Sequence, residues 1–104
     1  MDLHLVSRRV LVSGSSRGTG AGIARVLARE GATVYVHGFE LEAAEVVARS
    51  IRDEGHDARA VAGDIRTDAG ARAVAEAAGK IDILVNNSGV AETGTWESPT
   101  ADWI

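Results

Sequence analysis

The chain has 104 residues, of which 45% are apolar and 25% charged, and its net charge is -4. This size predicts a single domain, residues 1–104, and the acidic balance argues against a nucleic-acid partner. The lack of cysteine excludes disulfides and thiolate metal sites. Because no apolar run approaches the roughly 20 residues that cross a bilayer, we expect a cytoplasmic protein with no membrane partner.

A cluster of glycine and serine separates the first strand from the first helix. Residues 10–12 are a short apolar run, and residues 13–20 have the composition of a tight turn after a strand. From Thr19 the apolar spacing becomes helical, and Gly31 marks the end of the helix. The apolar residues of this helix share one face: Ile23, Val26 and Leu27.

The alternation of strand and helix then continues along the chain. Residues 33–36 predict a second strand, residues 58–62 a third, and residues 81–85 a fourth, which is the most apolar. Two further helices have apolar residues at helical spacing and a glycine beyond their ends. Their residues are Ala44, Val47, Ala48 and Ile51 before Gly55, and Ala71, Val74, Ala75 and Ala78 before Gly79.

Four strands that alternate with three helices predict an α/β fold of the doubly wound, Rossmann type. Right-handed crossovers then give a parallel sheet covered on both faces, with the strand order 3-2-1-4. In such a sheet the ligand crevice lies at the carboxyl ends of strands 1 and 4, where the winding reverses.

The last residues have the pattern of an unfinished element. Ser98 followed by Pro99 is typical of a helix start, and the chain ends at Ile104, one turn later. We therefore expect the N-terminal part of a longer polypeptide, truncated before strand 5, in which strand 4 is an open edge.

Gly14, Gly18 and Gly20 lie in the turn between strand 1 and helix 1 with G-x-x-x-G-x-G spacing. Glycines there let a pyrophosphate approach the free N–H groups of a helix N-terminus without a Cβ in the way. The alternative is a structural turn whose glycines serve packing alone.

Three motifs in succession resemble the short-chain dehydrogenase/reductase family. They are residues 13–20 (SGSSRGTG), residues 63–65 (GDI) after strand 3, and residues 86–89 (NNSG) after strand 4. They follow the family's order and stand at its strand ends, so the resemblance covers nearly the whole chain. The chain departs from the family's pattern at three positions: Ser13 replaces the usual Thr, Ser88 the usual Ala, and Thr19 a common Ile.

The resemblance implies that residues at the strand ends bind a nicotinamide dinucleotide. The turn would hold the pyrophosphate, and Asp64 would accept a hydrogen bond from the adenine amino group. Asn87 would line the crevice near the adenosine ribose, while Asn86 braces strand 4. The residues assigned to the cofactor are Gly14, Ser16, Arg17, Gly18, Thr19, Gly20, Gly38, Phe39, Asp64, Ile65, Asn87 and Gly89.

The choice between NAD and NADP depends on the end of strand 2. An acidic residue there would hold the ribose hydroxyls of NAD and repel a 2′-phosphate, but the sequence has Gly38 and Phe39. Arg17 in the turn could supply the positive charge that a 2′-phosphate requires. We predict that NADP(H) is favoured over NAD(H), although Phe39 replaces the family's second basic residue. We expect His37 to be a hydrogen-bonded structural residue, with a position at the adenosine rim as the alternative.

The family reduces carbonyls or oxidises alcohols with a Ser, a Tyr and a Lys four residues after that Tyr. This chain has one tyrosine, Tyr35, and one lysine, Lys80, and Phe39 is four residues after Tyr35. The resemblance places the catalytic residues beyond Ile104, so none is assigned here, and we expect cofactor binding without turnover. It also implies a homo-oligomer and a small carbonyl or alcohol substrate for the complete protein.

Two interpretations compete with the one in which the chain is the N-terminal part of an NADP(H)-dependent reductase. One is a stand-alone nucleotide-binding module or pseudoenzyme, and the other is a half-domain that completes its sheet with a partner chain. The unfinished helix and the open strand 4 favour the reductase, because a selected binding module would be expected to finish its sheet or protect that edge.

Overall fold

The structure is a computed structural model, and it describes residues 5–87 of the chain. Strands and helices alternate along these residues in the predicted succession. Their bounds are β1 Arg9–Val12, α1 Gly18–Arg29, β2 Thr33–Gly38, α2 Leu41–Asp53, β3 Ala58–Ala62, α3 Asp68–Ala78 and β4 Ile83–Val85.

The four strands form one parallel sheet in the predicted order β3-β2-β1-β4. Val10 of β1 lies opposite Val34 of β2 on one side and Ile83 of β4 on the other. The cluster under α1 and α2 lies on one face of the sheet and the cluster under α3 on the other. The winding therefore reverses between β1 and β4, as expected of a doubly wound sheet with a crevice at this point.

The larger part of the core lies under α1 and α2. Side chains alternate between the two faces along a strand, so every second residue of β1 and β2 points to this core. Its buried apolar residues are Leu5, Val10, Val12, Ala24, Ala28, Ala32, Val34, Val36, Ala44, Ala48, Ile51 and Ala58. The helices contribute mostly alanines, and these small side chains let the helix backbones approach the sheet.

A smaller cluster fills the opposite face, under α3. Its members are the buried residues Tyr35, Val61, Val74 and Ala78, with Leu11, Ile65 and Ile81 packed against them. Since both faces of β2 are covered, nearly every residue of that strand is buried.

The buried face of α1 differs from the predicted one. Of the predicted stripe, Ile23 and Leu27 pack against the core as partly buried residues, but Val26 is 54% exposed. Small residues face the sheet instead, because α1 starts directly at the glycine turn and lies close to it. These residues recur every four positions, on one side of the helix: Gly20, Ala24 and Ala28.

Three strands have other bounds than predicted. β1 begins one residue earlier, at Arg9. β2 continues two residues further, to Gly38, and β4 begins at Ile83 because Asp82 interrupts the regular pairing. The Asp82 carboxylate accepts a hydrogen bond from the Arg9 N–H at 2.9 Å, where a backbone carbonyl would continue the ladder. Within the described residues β4 pairs only with β1, and Leu84 is exposed, so this edge of the sheet is open there.

Some predictions concern residues outside 5–87. Gly89 and Ser88 of the third motif lie there, as does the helix start expected at Ser98. In the described part of the chain, no helix combines the length and the apolar character that crossing a bilayer requires.

Candidate functional site

The glycine turn, residues 13–20, connects the carboxyl end of β1 with the first turn of α1. Gly14 and Gly18 have φ angles of 62° and 60°, in the left-handed region that L side chains rarely adopt. A Cβ at Gly18 would project into open space. The turn therefore leaves room beside the backbone at the N-terminus of the helix.

The N-terminus of α1 has no side-chain cap. Arg17 occupies the N-cap position in an extended conformation, and a guanidinium cannot accept a hydrogen bond from the first-turn N–H groups. In α3, by contrast, the Thr67 hydroxyl accepts a hydrogen bond from the Gly70 N–H at 3.0 Å. The first N–H groups of α1, at the positive end of the helix dipole, are thus suited to an anion.

Gly20 permits close packing of α1. A Cβ at this position would lie 2.6 Å from Nδ2 of Asn87 and 2.8 Å from Cα of Ser15. Real Cβ atoms do not approach neighbours so closely, so any larger residue would push α1 away from the turn. Packing therefore explains Gly20, whereas backbone conformation explains Gly14 and Gly18.

The ends of β1 and β4 are joined by hydrogen bonds across the crevice. The Ser13 hydroxyl accepts from the Asn87 N–H at 2.9 Å and donates to Oδ1 of Asn86 at 3.1 Å. The side-chain amide of Asn87 donates to the Gly14 carbonyl at 3.3 Å. Asn86 thus braces the end of β4, as predicted, and Asn87 connects that end to the glycine turn.

A second network joins the glycine turn to β2. The buried Ser15 hydroxyl donates to the Val12 carbonyl at 2.6 Å and accepts from the His37 N–H at 2.9 Å. The Ser15 N–H donates to the His37 carbonyl at 2.8 Å. These buried polar groups are therefore satisfied by one another.

The His37 imidazole connects the glycine turn to the segment after β3. The residue is 1% exposed, its Nδ1 accepts from the Gly14 N–H at 2.9 Å, and its Nε2 lies 2.8 Å from the Gly63 carbonyl oxygen. Since a carbonyl only accepts, this network assigns a proton to Nε2. The prediction that His37 is a structural, hydrogen-bonded residue is confirmed.

An aromatic ring and a cation lie together at the end of β2. Phe39 is 60% exposed, and the guanidinium carbon of Arg66 is 5.1 Å from the centroid of its ring. A Cβ at Gly38 would lie 2.9 Å from the Ser16 side chain. The glycine turn therefore touches β2 at the position where a dinucleotide-binding sheet meets the ribose.

Asp64, after β3, is held in place by Arg66. Its Oδ1 accepts from the Arg66 backbone N–H at 3.0 Å and from Nε at 2.9 Å, and its Oδ2 accepts from Nη2 at 3.1 Å. The side-chain hydrogen bonds, followed by the backbone one, hold the pKa of Asp64 below its ordinary value. The carboxylate is therefore ionised at neutral pH.

All described residues of the predicted site lie at the carboxyl edge of the sheet. Six of them form the turn. Gly38 ends β2, and the others follow β2, β3 and β4; Ile65 packs against the cluster under α3. Sequence reasoning missed Ser15 and Arg66. Their signals were slight: a serine within a serine-rich turn, and an arginine two residues after Asp64.

The one tyrosine of the chain, Tyr35, is buried in the cluster under α3, where its hydroxyl accepts a hydrogen bond from Arg9. Within residues 5–87, no group of three or more His, Cys, Asp or Glu side chains could hold a metal ion.

Known proteins are similar to this chain in sequence. An uncharacterized oxidoreductase from Methylorubrum extorquens is 40% identical over 103 residues, which are 94% of this chain and 42% of that protein. A 3-oxoacyl-[acyl-carrier-protein] reductase of rhamnolipid biosynthesis from Pseudomonas aeruginosa is 38% identical over 104 residues, with 95% and 40% of the two chains covered.

The fold is also that of solved structures. A gluconate 5-dehydrogenase from Burkholderia cenocepacia, crystallised with NADP and tartrate, has a TM-score of 0.75 and 37% identity, over 89% of this chain and 41% of that one. The chain thus spans about two fifths of the length of the relatives it matches. The family model of the short chain dehydrogenases matches residues 8–103, and the chain belongs to the short-chain dehydrogenase/reductase family.

Proposed function

We propose that this chain is the cofactor-binding part of an oxidoreductase that transfers hydride between NADP(H) and a carbonyl or alcohol substrate. The observation that carries the proposal is the uncapped N-terminus of α1, which opens beside the glycine turn where the winding of the sheet reverses. In this proposal the 104 residues bind the dinucleotide, and turnover requires further polypeptide.

The pyrophosphate would lie against the glycine turn. The first N–H groups of α1 would donate to its oxygens, and the open space beside Gly18 would accommodate it. Ser16 and Thr19 would flank it, and Gly20 keeps the helix close to the turn. These residues fit a negatively charged group, because the side chain of the N-cap residue Arg17 does not occupy the N–H groups.

The adenosine half would lie towards β3 and β4. The Asp64 carboxylate has lone pairs beyond those that Arg66 uses, so it can also accept from an adenine amino group. Ile65 would lie beside the ring and Asn87 near the ribose. The assignment of Gly89 rests on the sequence motif.

The preference for NADP(H) would depend on Arg17. This exposed residue follows Ser16, whose side chain lies against Gly38 at the end of β2, so its guanidinium would be within reach of the ribose position. Neither Gly38 nor Phe39 has a carboxylate that would repel a 2′-phosphate. The gluconate 5-dehydrogenase that shares the fold was crystallised with NADP, which supports this choice.

The nicotinamide ring, when bound, would accept or supply the hydride. This chain's own residues would bind and orient the cofactor, and the proton donor and substrate contacts would belong to the part of the family's sequence that this chain does not cover. A homo-oligomer and a cytoplasmic location remain predictions from the sequence.

Calorimetric titration of the folded chain with NADPH and NADH tests the proposal. We expect saturable binding of both, tighter for NADPH, and a loss of about tenfold for NADPH alone in Arg17→Ala, since a charge-assisted hydrogen bond is removed. Arg49→Ala, which removes an exposed arginine of α2, should leave both affinities unchanged. Lack of binding by a folded chain would overturn the cofactor assignment, and an equal loss for both dinucleotides would overturn the role of Arg17.

A further inference from the structure

The end of β2 carries no charged residue that could recognise the ribose end of a dinucleotide. In a sheet of this kind an acidic residue there selects NAD, or a nearby arginine accommodates the 2′-phosphate of NADP. This chain has Gly38, which is buried, and Phe39, which is 60% exposed. Neither residue can neutralise a phosphate.

Arg66 reaches the same place from the neighbouring strand. Gly38 pairs with Ala62 at the end of β3, and the Gly63 N–H donates to the Gly38 carbonyl at 3.1 Å. The segment after β3 therefore runs beside the segment after β2. The Arg66 guanidinium lies over the Phe39 ring as a result, with 5.1 Å between its carbon and the ring centroid.

Contacts with Asp64 and Phe39 orient the Arg66 side chain. The Asp64 carboxylate accepts from Nε at 2.9 Å and from Nη2 at 3.1 Å, which is the two-pronged geometry of an arginine–carboxylate pair. The Phe39 ring provides a surface on which the planar guanidinium stacks. A cation that is already oriented loses less conformational freedom when an anion binds.

This cation is accessible to a ligand. The Arg66 side chain is 75% exposed in its ion pair with Asp64, and exposed ion pairs contribute little to stability. A phosphate dianion that arrives at the end of β2 can therefore attract the guanidinium at small cost. The Asp64 carboxylate would then keep acceptor capacity for the adenine amino group.

We infer that Arg66, stacked on Phe39, is a specificity-determining residue that binds the 2′-phosphate of NADP(H). It replaces, from the segment after β3, the basic residue that the segment after β2 lacks. The inference rests on the proposed function, because it requires a dinucleotide at the carboxyl edge of the sheet. Arg17 would then share the phosphate with Arg66.

Two nucleotides that differ only in this phosphate provide the test. The folded protein is titrated with 2′,5′-ADP and with 5′-AMP by calorimetry. We expect Arg66→Gln to weaken the binding of 2′,5′-ADP about five- to tenfold and the binding of 5′-AMP less than about twofold. Arg66→Lys keeps the charge but not the two-pronged geometry, so its affinity for 2′,5′-ADP should fall between those of wild type and Arg66→Gln. Arg72→Gln removes an exposed arginine of α3 and serves as the matched control.

The outcomes separate the inference from the proposed function. If wild-type protein favours 2′,5′-ADP and Arg66→Gln leaves that preference unchanged, the inference alone is wrong. An equal loss for both nucleotides would also overturn it, because Arg66 would then act on adenine through Asp64. If wild-type protein binds neither nucleotide, or favours 5′-AMP, the proposed NADP(H) function fails and the inference fails with it.

Discussion

Replacing His37 by phenylalanine tests how far the glycine turn depends on one buried ring. Phenylalanine has a somewhat larger ring without nitrogen atoms, so the Gly14 N–H and the Gly63 carbonyl lose their partners. Each buried group left unsatisfied costs about 1–3 kcal/mol. We therefore expect His37→Phe to lower the free energy of unfolding by about 2–5 kcal/mol, a large part of the roughly 5–15 kcal/mol typical of a domain.

Urea unfolding followed by far-UV circular dichroism measures this loss. His37→Asn should lose about half as much, because an Asn oxygen can replace Nδ1 as the acceptor for Gly14 but cannot reach Gly63. His56→Phe is the matched control for the change of side chain, since His56 makes no comparable link between segments, and it should remain within about 0.5 kcal/mol of wild type.

Two results would refute the reasoning about His37. The first is a His37→Phe protein as stable as wild type, which would mean that Gly14 and Gly63 find other partners. The second comes from the ¹⁵N chemical shifts of the ring. These should show a protonated Nε2 and an unprotonated Nδ1 at neutral pH, and the reverse pattern would contradict the assigned hydrogen bonds.

Three further predictions concern helix starts and one ion pair. Gly20→Ala should destabilise the fold by about 1–3 kcal/mol through overpacking. Gly22→Ala should instead stabilise it by about 0.5–1 kcal/mol, because a Cβ at Gly22 meets no atom within 4 Å. Equal effects of the two substitutions in urea unfolding would contradict this. Thr67→Ala should cost about 1 kcal/mol by uncapping α3, and Thr67→Ser should restore most of it. Because Arg66 lowers the pKa of Asp64, this pair stabilises the fold above the ordinary carboxyl pKa and less as the pH falls through the folded value. Carboxyl ¹³C titration of Arg66→Gln should show a raised pKa of Asp64, and an unchanged pKa would refute the link.

The topology could be predicted because its signals are local. Alternation of apolar runs with helical spacing identified the strands and helices, and the rules of parallel sheets then led to the order 3-2-1-4. Gly31, Gly55 and Gly79 were recognised as helix ends, and each has a positive φ in the structure. The location of the predicted site followed from the topology, because parallel strands bring their carboxyl ends to one edge.

The details that sequence reasoning missed depend on distant partners. The bonds of Ser15 and His37 join residues 22 positions apart, and the stacking of Arg66 on Phe39 depends on the pairing of β2 with β3. The outward position of Val26 has a similar origin, since the closeness of α1 to the glycine turn decides which helix face is buried. Patterns of single segments do not contain this information.

The unequal filling of the two faces has a consequence for motion. Twelve buried apolar residues lie under α1 and α2, but only four of the described residues are buried under α3. Local opening should therefore require less free energy in α3 than in α2, and its amide hydrogens should exchange with solvent earlier. Since α3 follows directly after Asp64, such opening would loosen the edge after β3 while the glycine turn stays anchored to β2. A ligand that bridges both regions would slow hydrogen exchange in α3 more than in α1.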